Sequence, residues 1–442
     1  MPKPTRDRRP SGRKTNRKPP TSEGRPHGRT SKDPERGPVT KTALHAEVIT
    51  ALLDVFVGRF RLDKVIERRL RANREWLSNT REQFVETMHE VVRHWRLRWH
   101  RAGLPEADYL QRVNFGRAKE LLNASPLPEA REQGWSEAIR LNVPDWLHAL
   151  GAAELGARWT GILTALNQPA PLFLRVNTLR TDAAGLTDAL AADGIATAPV
   201  DRDPQALIVT GRRDLFRTQP FREGWFEVQD VHSQRVAPFL QVEPGLRVID
   251  ACAGGGGKAL HLAALMRNKG RIVALDTAEW KLAELRRRAA RAGVDNLEAH
   301  CLQEPPPPKA DEKAPSRRPS TPTRLLKRFL GTADRVLVDV PCSGLGVWRR
   351  NPDAKWKLSE EDLTRLRSLQ AQLLSDYSAL TKAGGKLVYA TCSVLPSENE
   401  EQVRAFLRAH PGWMLEEELR LHPTPHGGDG FYAARLSRSK ER

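Results

Sequence analysis

The alternation of strand and helix patterns after residue 244 most constrains the fold of this chain. Short apolar runs typical of strands buried on both faces recur there, separated by segments with helical spacing. Strands are predicted at 246–249, 271–275, 296–301, 335–338, 386–390 and 430–436. This order predicts an α/β domain over 244–442 with a largely parallel sheet, whose ligands bind at the carboxyl ends of the strands.

Two further folded regions are predicted before this domain. Residues 161–243 mix short strand and helix patterns, which predicts a small α+β subdomain. Residues 42–160 are helical in pattern, and four apolar side chains there recur at i, i+4, i+7 and i+11, on one face of a single helix. They are Phe84, Met88, Val91 and Trp95.

Two segments are predicted to lack fixed structure. Residues 1–41 are rich in Lys, Arg, Pro and Ser and have almost no large apolar side chain, which predicts a disordered basic arm. Residues 303–325 include four consecutive prolines and mixed charges, which predicts a flexible insertion. The arm either binds RNA through counterion release or only solubilises the chain.

Composition limits the partners and the compartment. The net charge of +18 favours a polyanion, and nucleic acid is favoured over a membrane surface because no amphipathic terminal helix is evident. The four cysteines lack CxxC spacing, so no zinc site or disulfide framework is predicted, which fits the cytoplasm. With no apolar run of membrane-spanning length and no heptad pattern, we expect no membrane span and a monomer.

A glycine-rich loop follows the first strand of the α/β domain. Its residues are Cys252, Ala253, Gly254, Gly255, Gly256, Gly257 and Lys258. Glycines allow close approach of the backbone to a ligand, and Asp276, at the end of the next strand, can accept hydrogen bonds from ribose hydroxyls. The pair predicts a nucleoside cofactor. Because the loop lacks a phosphate-binding pattern, S-adenosyl-L-methionine is favoured over a dinucleotide.

Two other strands of the same domain end in cysteine. Asp339 and Cys342 follow one strand, and Cys392 follows the next. Methylation of cytosine carbon 5 needs a thiolate that adds to carbon 6, an acid that stabilises the resulting charge and a group that assists removal of the carbon 5 proton. The sequence supplies residues of each kind at one predicted sheet edge.

Several motifs in this chain resemble those of the Nol/Nop/Sun family of RNA (cytosine-5) methyltransferases. They are Asp339–Gly344, Trp348–Asp353, Tyr389–Ser393, Arg175–Thr178, Gln229–Asp230, Cys252–Lys258 and Asp429–Phe431. The resemblance covers roughly residues 170–437. The family includes the bacterial Sun-type enzymes that act on small-subunit ribosomal RNA. It implies a Rossmann-like S-adenosylmethionine-dependent methyltransferase sheet, preceded by an RNA-recognition-like subdomain, with ribosomal RNA as the partner.

The resemblance also implies residue roles. Cys392 would be the nucleophile on carbon 6, and Cys342 would assist release of the product. Asp339 would contact the target base near the cofactor, with Lys258 beside it. The loop Cys252–Lys258, together with Asp276 and Asp339, would bind S-adenosylmethionine.

The chain departs from the family pattern at two places. Gly254-Gly255 stands where the family usually has Ala-Pro, which predicts a looser loop that keeps its backbone donors. His300-Cys301-Leu302 stands where an acid commonly follows the third strand, so one contact to the adenine is in question. The helical region 42–160 occupies the place of the NusB-like RNA-binding domain of Sun-type enzymes without a residue-by-residue match.

Two other functions are compatible with parts of this pattern. A DNA cytosine-5 methyltransferase would use Cys342 as the nucleophile, but this leaves Thr391-Cys392 unexplained. A non-catalytic RNA-binding or ribosome-assembly factor on a methyltransferase scaffold would fit the missing third-strand acid. The presence of Asp339, Cys342 and Cys392 together favours the enzyme.

Overall fold

The computed structural model describes residues 40–123, 134–211, 214–302 and 324–440. The predicted basic arm, except for its last two residues, and nearly all of the predicted insertion 303–325 lie outside these ranges. Within them, no helix combines the length and the apolar character needed to cross a membrane. The predicted domain limits at 160 and 243 stay predictions.

The first region is built from eight helices within the described residues. They are α1 (Lys41–Phe56), α2 (Leu62–Ala72), α3 (Ser78–Arg93), α4 (Trp95–Arg101), α5 (Phe115–Asn123), α6 (Glu137–Arg140), α7 (Asp145–Leu155) and α8 (Arg158–Leu166). Their buried faces carry Leu, Val and Trp side chains, which supply the apolar area that stabilises short helices.

The apolar stripe predicted on one helix is divided between two. All four of its side chains are buried, but α3 ends at Arg93 and α4 begins at Trp95. The side chain of Asn142 causes the break: its amide nitrogen donates to the Arg93 carbonyl, and its oxygen accepts from the Leu97 backbone N–H at 3.0 Å. The prediction of a single helix was therefore wrong, because a residue distant in sequence replaces the helical hydrogen bonds.

The second region contains a four-stranded antiparallel sheet in the order β2-β3-β1-β4. Its elements are β1 (Phe173–Val176), α9 (Ala183–Ala192), β2 (Thr197–Val200), β3 (Asp203–Val209), α10 (Gln219–Arg222), β4 (Phe226–Val228) and α11 (Val231–Phe239). The Asp182 carboxylate caps α9 by accepting from the Gly185 N–H at 2.8 Å. The predicted α+β character is confirmed.

The third region is a seven-stranded sheet in the order β10-β11-β9-β8-β5-β6-β7. Its strands are β5 (Arg247–Asp250), β6 (Arg271–Asp276), β7 (Leu297–Cys301), β8 (Ala333–Asp339), β9 (Thr381–Thr391), β10 (Trp413–Leu421) and β11 (Phe431–Arg438). Its helices are α12 (Gly257–Leu265), α13 (Glu279–Ala292), α14 (Arg324–Lys327), α15 (Ala354–Lys357), α16 (Glu360–Ser378) and α17 (Glu400–Ala409).

Five neighbouring strands of this sheet, from β9 to β7, run parallel, and β11 and β10 continue it antiparallel. The predicted Rossmann-like sheet is confirmed, with β10 as an additional edge strand. The chain proceeds from β5 towards β7 on one side and from β8 towards β9 on the other. The strand order therefore reverses between β5 and β8, which is where α/β sheets of this kind form a ligand crevice.

Candidate active site

The loops after β5, β8 and β9 bring the predicted site residues together at the carboxyl edge of the sheet. The Lys258 Nζ atom lies 2.6 Å from Asp339 Oδ2 and 5.5 Å from the centre of the Phe431 ring. Burial lowers the pKa of Lys258, but the charge and hydrogen bond of Asp339 outweigh it and leave the pKa raised. Lys258 is therefore a fixed ammonium group beside the carboxylate.

The two cysteines at neighbouring strand ends are in contact, with their Sγ atoms 3.3 Å apart. The hydrogen bond to Cys392 and the burial of the thiol raise the pKa of Cys342 well above its usual value. Cys342 thus keeps its proton at neutral pH and can direct its S–H at the Cys392 sulfur.

Glu398 is a site residue that the sequence analysis did not single out. Its buried carboxylate accepts from the Ser343 backbone N–H at 2.9 Å and from both the Ser343 and Ser393 hydroxyls. Gln370 Nε2 donates to the same carboxylate at 2.9 Å. Because each serine directly follows one of the two cysteines, Glu398 holds both cysteine loops. The only sign of this arrangement in the sequence is that a serine follows each cysteine, and this does not indicate which acid binds the two serines.

The glycine loop is anchored to Asp276. One carboxylate oxygen accepts from the Gly254 N–H at 2.9 Å and the other from the Ala278 N–H at 2.8 Å. Gly254 and Gly256 have φ of 54° and 86°, in the left-handed region that favours glycine. A Cβ atom at Gly256 would lie 2.6 Å from Leu285 Cγ, so this position also needs glycine for space. Each Asp276 oxygen keeps a lone pair for a ligand hydroxyl.

Asp250, the last residue of β5, is a second residue missed from the sequence. Its side chain is buried, and neither carboxylate oxygen has a hydrogen-bond partner in the described part of the chain. Burial and then the Asp339 charge raise the pKa of Asp250 to about 7. An unpartnered buried carboxyl beside a glycine loop fits a polar cofactor at this place. The signal was present, since an acid at a strand end precedes the loop.

The remaining two cysteines have different surroundings. Burial and then the charge of Asp250 raise the pKa of the Cys252 thiol well above its usual value, so this loop cysteine stays a neutral thiol. Cys301, at the end of β7, lies 3.6 Å from the Thr277 carbonyl through its Sγ. None of the residues His300, Cys301 and Leu302 at this strand end is an acid. Among the residues that the structure describes, no cluster of three or more His, Cys, Asp or Glu side chains is placed to hold a metal ion.

A cleft of about 390 Å³ opens beside Cys342 and Ser343. Its other lining residues, from the segment that carries α15 and α16, are Ala354, Lys357, Leu358, Asp362, Arg365, Leu366 and Leu369. Leu369 is exposed, and the Lys357 ammonium and Arg365 guanidinium pair with acids on their own helical segments. The cleft combines apolar surface with cationic side chains next to the cysteine pair.

Comparison with known proteins places this site in a family. Residues 237–437 match the family model described as 16S rRNA methyltransferase RsmB/F, and residues 143–215 match a ferredoxin-like domain of RsmF/B-like methyltransferases. A protein of Synechocystis sp., named probable ribosomal RNA small subunit methyltransferase B, is 35% identical over 314 residues, which cover 67% of each chain.

Solved structures support the fold. The crystal structure of PH0851 matches with a TM-score of 0.70 at 23% identity and covers 89% of this chain and 99% of that one. A methyltransferase homologue from Pyrococcus horikoshii matches with a TM-score of 0.58 at 25% identity and covers 71% of this chain and all of that one. The two family models and the relative above show that the chain belongs to the RsmB/F family of 16S rRNA methyltransferases.

Proposed function

We propose that this protein transfers a methyl group to carbon 5 of a cytosine in ribosomal RNA through a covalent adduct between Cys392 and carbon 6. S-adenosyl-L-methionine is the methyl donor of this methyltransferase family and supplies an electrophilic methyl group when bound. The observation that carries the proposal is the cysteine pair, with Sγ atoms 3.3 Å apart at the same sheet edge as the Lys258–Asp339 pair.

The raised pKa of Cys342 supports the assignment of Cys392 as the nucleophile. A thiolate is needed for addition to carbon 6, and Cys342 keeps its proton while hydrogen-bonded to Cys392. Release removes the carbon 5 proton and breaks the bond between carbon 6 and the Cys392 sulfur, whose electron pair returns to that sulfur. Cys342 is in contact to pass its proton to the Cys392 sulfur, and the Cys342 thiolate so formed would take the carbon 5 proton, so that both thiols end protonated.

Asp339 and Lys258 support stabilisation of the charge that addition creates in the ring. Asp339 is the more exposed of the two, with 27% of its side chain accessible against 12% for Lys258. A carboxylate there can accept a hydrogen bond from the exocyclic amine of cytosine, while the ammonium fixes its orientation. Asp276 would accept hydrogen bonds from the ribose of the cofactor. The backbone of the loop Cys252–Lys258 would contact the part of the cofactor that lies against it.

The cleft beside Cys342 supports RNA as the substrate. Chemistry on carbons 5 and 6 needs a base removed from its stack, and the cleft offers an apolar wall for a neighbouring nucleotide and cations for phosphate. The relatives named as small-subunit ribosomal RNA methyltransferases support ribosomal RNA as the class of substrate. The same relatives favour a 16S-type target.

The test is transfer of label from S-adenosylmethionine to RNA purified from cells that lack this protein. We expect labelled 5-methylcytosine with the wild type, none with Cys392→Ala, and a denaturation-resistant protein–RNA adduct with Cys342→Ala. RNA from cells that contain the protein is the matched control and should accept little label, because its target is already methylated.

The other outcomes distinguish the alternatives. If Cys342→Ala gives neither product nor adduct while Cys392→Ala forms an adduct, the nucleophile assignment is reversed. If no form transfers label but RNA binding persists, the protein is an assembly factor, the function that the lack of an acid among His300, Cys301 and Leu302 would favour.

A further inference from the structure

Two carbonyl groups of the four-glycine loop are held by arginine side chains. Arg288 on α13 donates from Nη1 to the Gly255 carbonyl at 2.6 Å. Arg175 on β1 donates from Nη1 to the Gly257 carbonyl at 2.5 Å. Arg175 belongs to the antiparallel sheet of the second region, so an element outside the methyltransferase sheet contacts the cofactor loop directly.

A buried carboxylate holds the first of these arginines. Glu227 on β4 is 5% exposed and lies opposite Arg175 in the register of β1 and β4. Its Oε2 accepts from Arg288 Nη2 at 2.8 Å, and its Oε1 accepts from Arg291 Nη2 at 2.6 Å. Arg175 is 3% exposed, and its guanidinium also donates to the Gln229 side chain. The loop is thus tied to a charged network spanning β1, β4 and α13.

Such a network has a consequence for ligand binding. Consecutive glycines lose more conformational freedom on ordering than other residues, and a loop that is disordered before binding lowers affinity by that cost. Hydrogen bonds from fixed guanidinium groups to the loop carbonyls restrict the loop before any ligand arrives. They leave the open face of the loop at Gly254 available, since nothing lies within 4 Å of a Cβ atom built there.

We propose that Arg288, held by Glu227, and Arg175, bonded to Gln229, are positioning residues that order the glycine loop for S-adenosylmethionine. The second region thereby contributes to cofactor affinity without touching the cofactor. The inference rests on the use of S-adenosylmethionine in the proposed function, and it is independent of which RNA atom is methylated.

The test compares cofactor affinity with stability in the full chain. The variants are Arg288→Ala, Glu227→Gln and Arg175→Lys. The control is Arg287→Ala, on the same helix but 77% exposed and paired with Glu284. The Kd of S-adenosylhomocysteine is measured by calorimetry, and thermal unfolding is followed without ligand. We expect the Kd of Arg288→Ala and Glu227→Gln to rise about tenfold, the effect of one lost charge-assisted hydrogen bond, and that of Arg287→Ala to stay within about twofold.

Kinetics and a conservative substitution separate positioning from simple loss of structure. In Arg288→Lys, which keeps a charged donor, we expect part of the affinity to return. In all variants that fold, the KM for S-adenosylmethionine should rise while kcat at saturation stays near the wild-type value. A lowered Tm with unchanged Kd in Arg288→Lys, Glu227→Gln and Arg175→Lys would overturn the proposal, even if Arg288→Ala does not fold. Because binding is measured directly, a wild type that binds cofactor but forms no 5-methylcytosine would refute only the proposed function.

Discussion

The Sγ atoms of Cys342 and Cys392 lie 3.3 Å apart although 50 residues separate them in the sequence. Parallel pairing of β8 with β9 sets Asp339 opposite Ala390, so the loops that follow leave the sheet side by side. Glu398 then fixes both loops through the serines that follow the cysteines. The contact raises the pKa of the Cys342 thiol and places the two sulfurs where oxidation can join them.

Mild oxidation should inactivate the protein reversibly by linking these two sulfurs. A disulfide needs a sulfur separation of about 2.05 Å, so the pair requires only a small approach. With hydrogen peroxide, each thiol loses one electron and one proton, and the peroxide becomes two waters. We expect the loss of two titratable thiols and of methyl transfer, both restored by dithiothreitol.

The matched variant for this oxidation is Cys342→Ser, which keeps the site polar but removes one partner. After the same treatment, the two peptides that contain residues 342 and 392 should remain unlinked in this variant, so no species with their combined mass less two hydrogens should appear. A wild type that keeps all four thiols while losing activity would contradict the prediction.

Replacing Glu398 by Gln should lower the rate of methyl transfer by at least about tenfold and destabilise the fold by roughly 2–3 kcal/mol. The amide has one acceptor oxygen, so its NH₂ group would replace either the oxygen that accepts from both serine hydroxyls or the one that accepts from the Ser343 N–H and the Gln370 amide. Transfer kinetics and urea unfolding measure the two effects.

The control for Glu398 is Glu401→Gln, the same chemical change on an exposed residue three positions later. It should leave both the rate and the unfolding midpoint close to wild type. Equal effects of the two substitutions would show that Glu398 does not hold the cysteine loops.

The sequence predicted the cysteine pair and the glycine loop because both follow from strand order. Parallel strands end at one edge, so residues at their ends meet whatever the connections are. Glu398 was missed as a site residue because its importance comes from burial, which depends on how a later segment folds back. Asp250 was missed although its position at a strand end, before the glycine loop, could have indicated it. The edge strand β10 was also missed: its charged sequence is typical of a helix, and only pairing with β11 makes it a strand.

Removing the charge of Arg349 should be among the most destabilising single changes in this protein. Arg349 is buried and donates to the buried carboxylate of Asp429 and to the Thr424 and Gly427 carbonyls. Arg349→Met would leave the Asp429 carboxylate with Arg350 alone and would remove one donor from each of the two carbonyls, a loss of about 3–5 kcal/mol. Urea unfolding measures it, with Arg404→Met, on an exposed helix position, as the control. Similar midpoints for the two variants would contradict the prediction.

Asp250 should make the stability of the cofactor-free protein fall as the pH rises from about 4 to 7. Burial and the Asp339 charge raise the pKa of this carboxyl from 3.8 to about 7, so in this interval the folded state keeps a proton that the unfolded state has released. The free energy of unfolding then decreases with pH, and above the folded-state pKa the contribution is constant because both states are ionised.

Asp250→Asn removes this titration while keeping the size of the side chain. Its free energy of unfolding should rise relative to wild type by roughly 2 kcal/mol between pH 5 and pH 7, and the difference should level off near pH 8. Urea unfolding at several pH values gives this difference directly and cancels the titration of all other groups. The exposed Asp188→Asn serves as the control and should follow the wild-type profile. Parallel profiles for Asp250→Asn and wild type would mean that the carboxyl at the end of β5 is ionised in the folded protein, and that the Lys258 charge outweighs its burial.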